Sequence, residues 1–211
     1  MMDLFEQSQQ EEILKDVHLL RGFALPDQHH LLADLSAVIQ AAPLRQMITP
    51  SGLPMSVTTS NCGTLGWVSD KNGYRYAACD PQTGTPWPEM PASFRQLAEQ
   101  AANAAGFSGF NPDACLINCY LPGAKMGLHQ DKDEQDFTQP IVSVSLGIPA
   151  MFKMGGFARS DKPLKLPLYH GDVLVWGGES RLRFHGVMPV KAANHPALGE
   201  CRINLTFRKA G

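Results

Sequence analysis

From about residue 113 onward the chain reads as one short strand after another, each closed by a turn. Ala114–Tyr120 is the first, and Pro122-Gly123 turns it. Met126–His129, Ile141–Gly147, Ala150–Met154, Leu164–Tyr169, Val173–Trp176, Phe184–Val187 and Arg202–Arg208 follow, broken by Gly, Pro, Asp and Lys. Many short strands separated by turns fold into a sandwich or a jelly roll. A jelly roll leaves a cavity between its two sheets, where inward side chains from several strands meet. The expected fold class is therefore mainly β with flanking helices, with a jelly-roll core over about residues 113–211.

The preceding half supplies the flanking elements. Val17–Leu20 has the composition of a strand. Pro26-Asp27 opens a helix with Asp27 as N-cap, its apolar positions Leu31, Leu32, Leu35 and Val38-Ile39 at helical spacing. A second helix runs from Pro91 to Ala105 through Phe94, Leu97 and Ala101, and Gly106 ends it. Between them, residues 44–90 mix Gly, Pro, Thr and Asn with aromatics. Asn72-Gly73, flanked by Trp67-Val68 and Tyr74-Arg75-Tyr76, signals a β-hairpin. Loops and hairpins of this kind carry recognition or form a plain edge sheet. A chain of 211 residues fits one domain, here with about residues 1–90 as an N-terminal extension before the core.

Composition excludes several classes. No run approaches the roughly 18 apolar residues of a membrane helix. Met1-Met2-Asp3-Leu4-Phe5-Glu6 lacks the basic and apolar regions of a secretory signal. Five Cys is an odd number and none forms C-x-x-C, so the thiols are expected to be reduced, in a cytoplasmic protein. A net charge of −2 argues against a protein that coats long nucleic acid, but not against one that grips a few phosphates.

Two H-x-D pairs occur, His129-Gln130-Asp131 and His170-Gly171-Asp172. Either could be a surface His beside a turn Asp. Asp172 follows a Gly before an apolar strand, which is ordinary turn chemistry. His129 and Asp131 instead leave a strand into a polar loop. His185, flanked by strand residues and by Gly186, is a better third ligand than His195, which sits beside Pro196. Two His and one carboxylate on one face of an ion form the facial triad of non-haem iron(II) oxygenases, which leaves the opposite positions open.

The last strand, Arg202–Arg208, alternates strictly. Ile203, Leu205 and Phe207 face one way; Arg202, Asn204, Thr206 and Arg208 face the other. An ordinary antiparallel strand would turn the polar face to water. If that face points into the cavity instead, two Arg there need an anion, because buried unpaired charge is costly, and the guanidinium fork suits a carboxylate. Asn118 and Tyr120 share a face on the first core strand and could hydrogen-bond carboxylate oxygens, or could be an ordinary strand-end Asn and a packed Tyr.

Taken together, these motifs resemble the AlkB family of iron(II)/2-oxoglutarate dioxygenases, which act in alkylation repair. The resemblance is carried by His129/Asp131, His185, Asn118-x-Tyr120 and Arg202-x-Asn204-x-Thr206-Phe207-Arg208. Leu44-Arg45-Gln46-Met47, Asn61–Trp67, Asp80-Pro81-Gln82-Thr83, Asn111–Asn118 and Trp176–Leu182 extend it over nearly the whole chain. It implies a double-stranded β-helix core with an N-terminal nucleotide-recognition lid. It also implies iron(II) held by His129, Asp131 and His185, with 2-oxoglutarate and dioxygen as co-substrates. By the same match 2-oxoglutarate reaches Arg208, helped by Asn118, Tyr120, Arg202 and Asn204. The implied reaction is oxidative demethylation of bases methylated on the pairing edge, such as 1-methyladenine and 3-methylcytosine. The expected substrate is single- or double-stranded DNA carrying such bases, or RNA, and the expected state is a monomer. Trp67, Tyr74, Asp133 and Arg159 match substrate contacts. Leu53 and Thr59 depart from the Tyr and Met that the family's best-studied bacterial member has at those positions, which leaves the preferred lesion and the grip on flanking nucleotides open. A 2-oxoglutarate dioxygenase acting on a small molecule or a protein would keep the core without needing Trp67.

Overall fold

The computed structural model describes residues 10–211; the N-terminal segment judged not to be a secretory signal lies outside them. In chain order the elements are β1 (Gln10–Leu14), β2 (Val17–Leu20), α1 (Gln28–Ala41), β3 (Arg45–Ile48), β4 (Pro54–Gly63), β5 (Gly66–Asp70), β6 (Gly73–Ala77) and α2 (Ala92–Ala104). The core strands then follow as β7 (Ala114–Tyr120), β8 (Met126–His129), β9 (Ile141–Gly147), β10 (Ala150–Met154), β11 (Leu164–Leu168), β12 (Val173–Trp176), β13 (His185–Val187) and β14 (Arg202–Arg208). Every strand expected after residue 113 is present, with ends shifted by at most a residue or so.

Two sheets face each other. The larger has the order β1-β2-β12-β9-β14-β7-β4-β3 and the smaller β11-β10-β13-β8; β5 and β6 form a separate hairpin. β14 lies inside the large sheet, antiparallel to β7 on one side and β9 on the other. Both faces of the large sheet are covered. On one, Ile203, Leu205 and Phe207 pack with Phe94 and Leu97 of α2 and with Leu31, Leu35 and Val38 of α1. Phe94 meets Phe207 edge to face, ring centroids 5.9 Å apart. Aromatic edge contacts of this kind add to area burial. On the other face a second core, including Tyr120, Phe152, Leu174, Trp176 and Val187, fills the space between the sheets. Since the helices take the apolar face of β14, its polar face has only the inter-sheet space to enter.

Two local expectations are corrected. Asp27 stands at the N-cap of α1, but its side chain makes no capping hydrogen bond. The hairpin turn falls one residue earlier than Asn72-Gly73: Asp70 pairs with Gly73 across Lys71-Asn72. Gly73 has φ 109°, while Asn72 keeps a negative φ; the Asp70 carboxylate accepts the Asn72 N–H at 2.8 Å and so shapes the turn.

Strands β1 to β4 extend the large sheet rather than standing apart from it. Thr59 is buried on β4 opposite Asn118 of β7. The β5–β6 hairpin is tied on through Asn61, whose side chain exchanges hydrogen bonds with the Trp67 backbone. Ser69 Oγ also donates to Ile48 O at 2.6 Å. No helix among the described residues is long and apolar enough to cross a membrane.

Candidate metal centre and its cavity

Register brings the two histidines together. His185 of β13 lies directly opposite His129 of β8, and their ring centroids are 4.4 Å apart. Gly186 permits this pairing: a Cβ there would sit 2.7 Å from Met126 O and 2.9 Å from Gly127 O. Asp131, two residues beyond His129, turns back toward both rings. Its Oδ1 is 3.5 Å from His129 Nε2 and 3.6 Å from His185 Nε2. The three donor atoms lie within 4.8 Å of one another, and among the described residues this is the group of three that could hold a metal ion.

Each histidine has its other nitrogen engaged. His129 Nδ1 is 2.9 Å from Gly127 O, and His185 Nδ1 is 3.1 Å from Arg183 O. A carbonyl accepts, so Nδ1 carries the proton and Nε2 presents its lone pair to the centre. Phe152 stacks on the His185 ring and Trp176 meets it edge-on, at centroid distances of 6.0 and 4.9 Å. His170 and Asp172 are used elsewhere. Gly147 N–H donates to His170 Nδ1, and Asp172 accepts from Arg21, Gly22 N–H and Tyr169 N–H.

Asp131 is buried, which alone would favour its neutral form. The Arg208 guanidinium, with help from His185 and His129, nevertheless holds its carboxyl well below the usual carboxylate range. Arg208 Nε donates to Asp131 Oδ2 at 2.7 Å, leaving Oδ1 toward the histidines. Burial disfavours protonated His129, but the Asp131 hydrogen bond raises its pKa above the ordinary value. Burial and the charge of His129 lower that of His185.

The polar face of β14 enters the inter-sheet space, as the oxygenase reading requires. Arg202, Asn204, Thr206 and Arg208 are all buried. Asn204 Nδ2 donates to Ser143 Oγ at 2.8 Å and to Val144 O at 3.0 Å, and Thr206 Oγ1 donates to Asn204 Oδ1 at 3.0 Å. The two arginines differ. Arg208 is neutralised by Asp131 and by Glu134, whose carboxylate is 3.4 Å from Arg208 Nε. Arg202 is 1% exposed, and its Cζ lies 5.0 Å from the centre of the Tyr120 ring. It donates from one NH2 group to Ser145 Oγ at 2.9 Å, while its Nε and other NH2 group have no partner among the described residues. Asn118 Oδ1 is also buried without a partner. An uncompensated guanidinium of this kind calls for an anion.

A cavity of about 760 Å³ opens to the surface beside the metal-binding set and reaches in as far as Asn118, Tyr120 and Asn204, while Arg202 sits against the Tyr120 ring and outside the lining. Its lining includes Asn118, Tyr120, His129, Asp131, His185 and Arg208, and toward its mouth Leu53, Trp67, Tyr74 and Arg159. Leu53 is 65% exposed. The Trp67 and Tyr74 rings stack, centroids 5.6 Å apart and planes 14° apart. Trp67 Nε1 donates to Asp133 at 2.9 Å. A buried network joins the hairpin to the centre: Tyr76 Oη donates to Glu134 at 2.6 Å, and Glu134 also accepts from Arg181 at 3.1 Å. Arg181 in turn donates to Asp131 O at 2.8 Å.

Sequence reasoning passed over Tyr76, Glu134, Arg181, Ser143 and Ser145. The serines had a signal: small hydroxyls at alternate positions of an otherwise apolar strand mark a polar interior face. Glu134 and Arg181 are far apart in sequence and had none.

Residues 16–208 match the family model described as the 2OG-Fe(II) oxygenase superfamily. The chain is 54% identical to the alpha-ketoglutarate-dependent dioxygenase AlkB of Escherichia coli, over all of this chain and 99% of that one. It is 36% identical to the DNA N(6)-methyladenine demethylase ALKBH1C of Arabidopsis thaliana, across 69% of this chain and 38% of that protein. Among solved structures it superposes on OsALKBH1 with a TM-score of 0.82 at 30% identity, covering 95% of this chain and 99% of that one. With the converged His/Asp/His set and the double-sheet core, these likenesses show that the chain belongs to the 2OG-Fe(II) oxygenase superfamily, as an AlkB-type alpha-ketoglutarate-dependent dioxygenase.

Proposed function

We propose that this dioxygenase removes methyl groups from the pairing edge of nucleic-acid bases, with 1-methyladenine and 3-methylcytosine in DNA as the type substrates. The observation that carries the reading is the stacked Trp67–Tyr74 pair at the mouth of the cavity that contains His129, Asp131 and His185. A planar base can lie against that pair, and a cationic methylated base gains a cation–π interaction and the charge of Asp133. Arg159, exposed at the same mouth, can meet a phosphate. The Arabidopsis thaliana relative named as a DNA N(6)-methyladenine demethylase supports this substrate class. A small-molecule or protein substrate would have no evident use for the aromatic pair.

The residues fit the cofactor and co-substrate of the family. The two Nε2 lone pairs and Asp131 Oδ1 suit iron(II), and three protein ligands leave room for others. The unpaired N–H groups of Arg202, beside Tyr120, suit the distal carboxylate of 2-oxoglutarate, and Asn118 and Asn204 flank its path. Arg208, expected from the resemblance to be the main anchor, is better placed to brace Asp131. When bound, iron(II) with dioxygen couples oxidation of 2-oxoglutarate to succinate and carbon dioxide with hydroxylation of the N-methyl group, which leaves as formaldehyde. The chain's own residues orient the base, shield the centre between Phe152 and Trp176, and keep Asp131 ionised. Flipping is easiest for a lesion that has already lost pairing. A reducing compartment such as the cytoplasm fits the five free thiols.

The test is formaldehyde release from a methylated oligonucleotide, with 2-oxoglutarate or iron withheld in parallel. Release requiring both is expected; turnover of 2-oxoglutarate with no effect of any methylated strand would refute the substrate class. Trp67→Ala should weaken binding of the methylated strand by about one to two decades, since stacking contributes roughly 1–3 kcal/mol per base. Iron and 2-oxoglutarate binding should be retained. Unchanged strand affinity would remove Trp67 from the contact.

A further inference from the structure

Four of the five cysteines form two cross-strand pairs on the helix-facing side of the large sheet. Cys62 of β4 is in register with Cys115 of β7, and both are 0% exposed. Sealed thiols of that kind are inert to dissolved oxidants. The second pair is different. Cys119 at the end of β7 and Cys201 just before β14 have their sulfurs 2.9 Å apart, although 82 residues separate them. Cys119 is 8% exposed, and Cys201 is partly open to solvent. A small oxidant can therefore reach this pair.

We propose that Cys119 and Cys201 are a modification site: a dithiol that hydrogen peroxide converts to a reversible disulfide, stapling the end of β7 to the start of β14. A disulfide needs its sulfurs about 2.05 Å apart, so closure asks for a movement of under an ångström, divided between two side chains. The chemistry is also set up. Hydrogen bonds from the Cys201 thiol and, against the opposing effect of burial, from Thr58 lower the pKa of Cys119 to about 7. Cys119 is therefore the more readily ionised thiol of the pair, and the thiolate is the nucleophile. Cys119 Sγ attacks one peroxide oxygen, the O–O bond breaks, and hydroxide leaves and is protonated to water. Cys201 Sγ then attacks the Cys119 sulfenic acid, forming the S–S bond and releasing a second water. Two thiols are oxidised and one peroxide is reduced to two waters.

Placement defines the consequence. Cys115, Ile117 and Cys119 face the helices, whereas Leu116, Asn118 and Tyr120 face the cavity. The staple forms on the far side of the sheet from the metal centre. It joins the ends of the two strands that carry Tyr120 and Arg202 while leaving their cavity face in place. Closing a long loop constrains the unfolded chain strongly. The expected effect is a stabilised enzyme with its chemistry intact.

The test uses the full-length chain without added iron, so that peroxide generates no radicals, in a Cys79→Ser background because Cys79 is exposed. After hydrogen peroxide, two of its four thiols should be lost and the mass should fall by about two daltons, the two hydrogens lost in forming one disulfide. Non-reducing peptide mapping should join the segments containing Cys119 and Cys201. The Tm should rise by about 5–15 °C and return with dithiothreitol. After iron and 2-oxoglutarate are restored, kcat should stay within about twofold, a ratio well below the tenfold that 1.4 kcal/mol would produce. Adding Cys119→Ser should abolish the linkage and the Tm rise. Sulfinic acid on either cysteine without a cross-link, a Cys62–Cys115 linkage, or no loss of thiol would each overturn the proposal.

Discussion

At the scale of single residues, the two arginines on one face of β14 separate by their partners. Arg208 is paired with Asp131 and Glu134, while Arg202 keeps unpaired N–H groups beside Tyr120. Their substitutions should therefore fail differently. Arg202→Lys replaces a fork with a point charge. It should raise the KM for 2-oxoglutarate by about tenfold to hundredfold, the equivalent of roughly 1.5–3 kcal/mol, with metal affinity little changed. Arg208→Lys should act mainly on the metal, weakening it by about 10–100-fold as the brace on Asp131 loosens. Metal and 2-oxoglutarate titrations of both variants check this; the reverse pattern would restore Arg208 as the principal carboxylate anchor.

At the scale of elements, the β5–β6 hairpin carries Trp67 and Tyr74 and is fastened to the centre through Tyr76. Burial pushes the Tyr76 phenol well above its usual pKa, so it stays a hydrogen-bond donor to Glu134. Tyr76→Phe leaves the ring and removes that donor. We expect kcat/KM for the methylated strand to fall about tenfold, a cost near 1.4 kcal/mol, while 2-oxoglutarate affinity holds. Equal losses for both would mean general damage instead. Arg45 and Asp80 fasten β3 to the segment after the hairpin by a bidentate pair. Burial works against ionised Asp80, but the Arg45 hydrogen bond wins and lowers its pKa. Its stabilisation is therefore complete above the ordinary carboxylate value and is lost as pH falls through the lowered one. Asp80→Asn should cost about 2 kcal/mol at pH 7, less than a fully buried pair because Arg45 is partly exposed, or about 4–8 °C in Tm. Melting curves from pH 7 down to about 3 should show the gap narrowing.

For the whole molecule, the cavity face holds buried charge that its ligands would complete. Ligand binding and folding are then linked, and 2-oxoglutarate with a divalent metal at about 100 times its Kd should stabilise by about 2.7 kcal/mol. His185→Ala should lose the metal-dependent part of that rise, whereas His170→Ala should keep it. In the ligand-free protein, Arg202→Met should raise the Tm, because a buried unpaired cation is replaced by an apolar side chain. A lower Tm would show that Ser145 and Tyr120 already compensate Arg202.

The sequence by itself determined the local elements, because strand and helix periods and turn residues are short-range properties. The core strands, both helices and the hairpin were legible in that way. So were the triad residues and the two faces of β14, whose alternation shows in seven residues. Which face points inward was not legible, since that depends on α1 and α2 occupying the apolar side. Nor could sequence separate Arg202 from Arg208: two positions on one strand face look alike until Asp131, Glu134 and Tyr120 arrive from other elements. The Tyr76–Glu134–Arg181 network and the Cys119–Cys201 contact were invisible for the same reason. Electrostatic pairing and sulfur contact depend on distances through space, and only strand register and sheet packing set those distances.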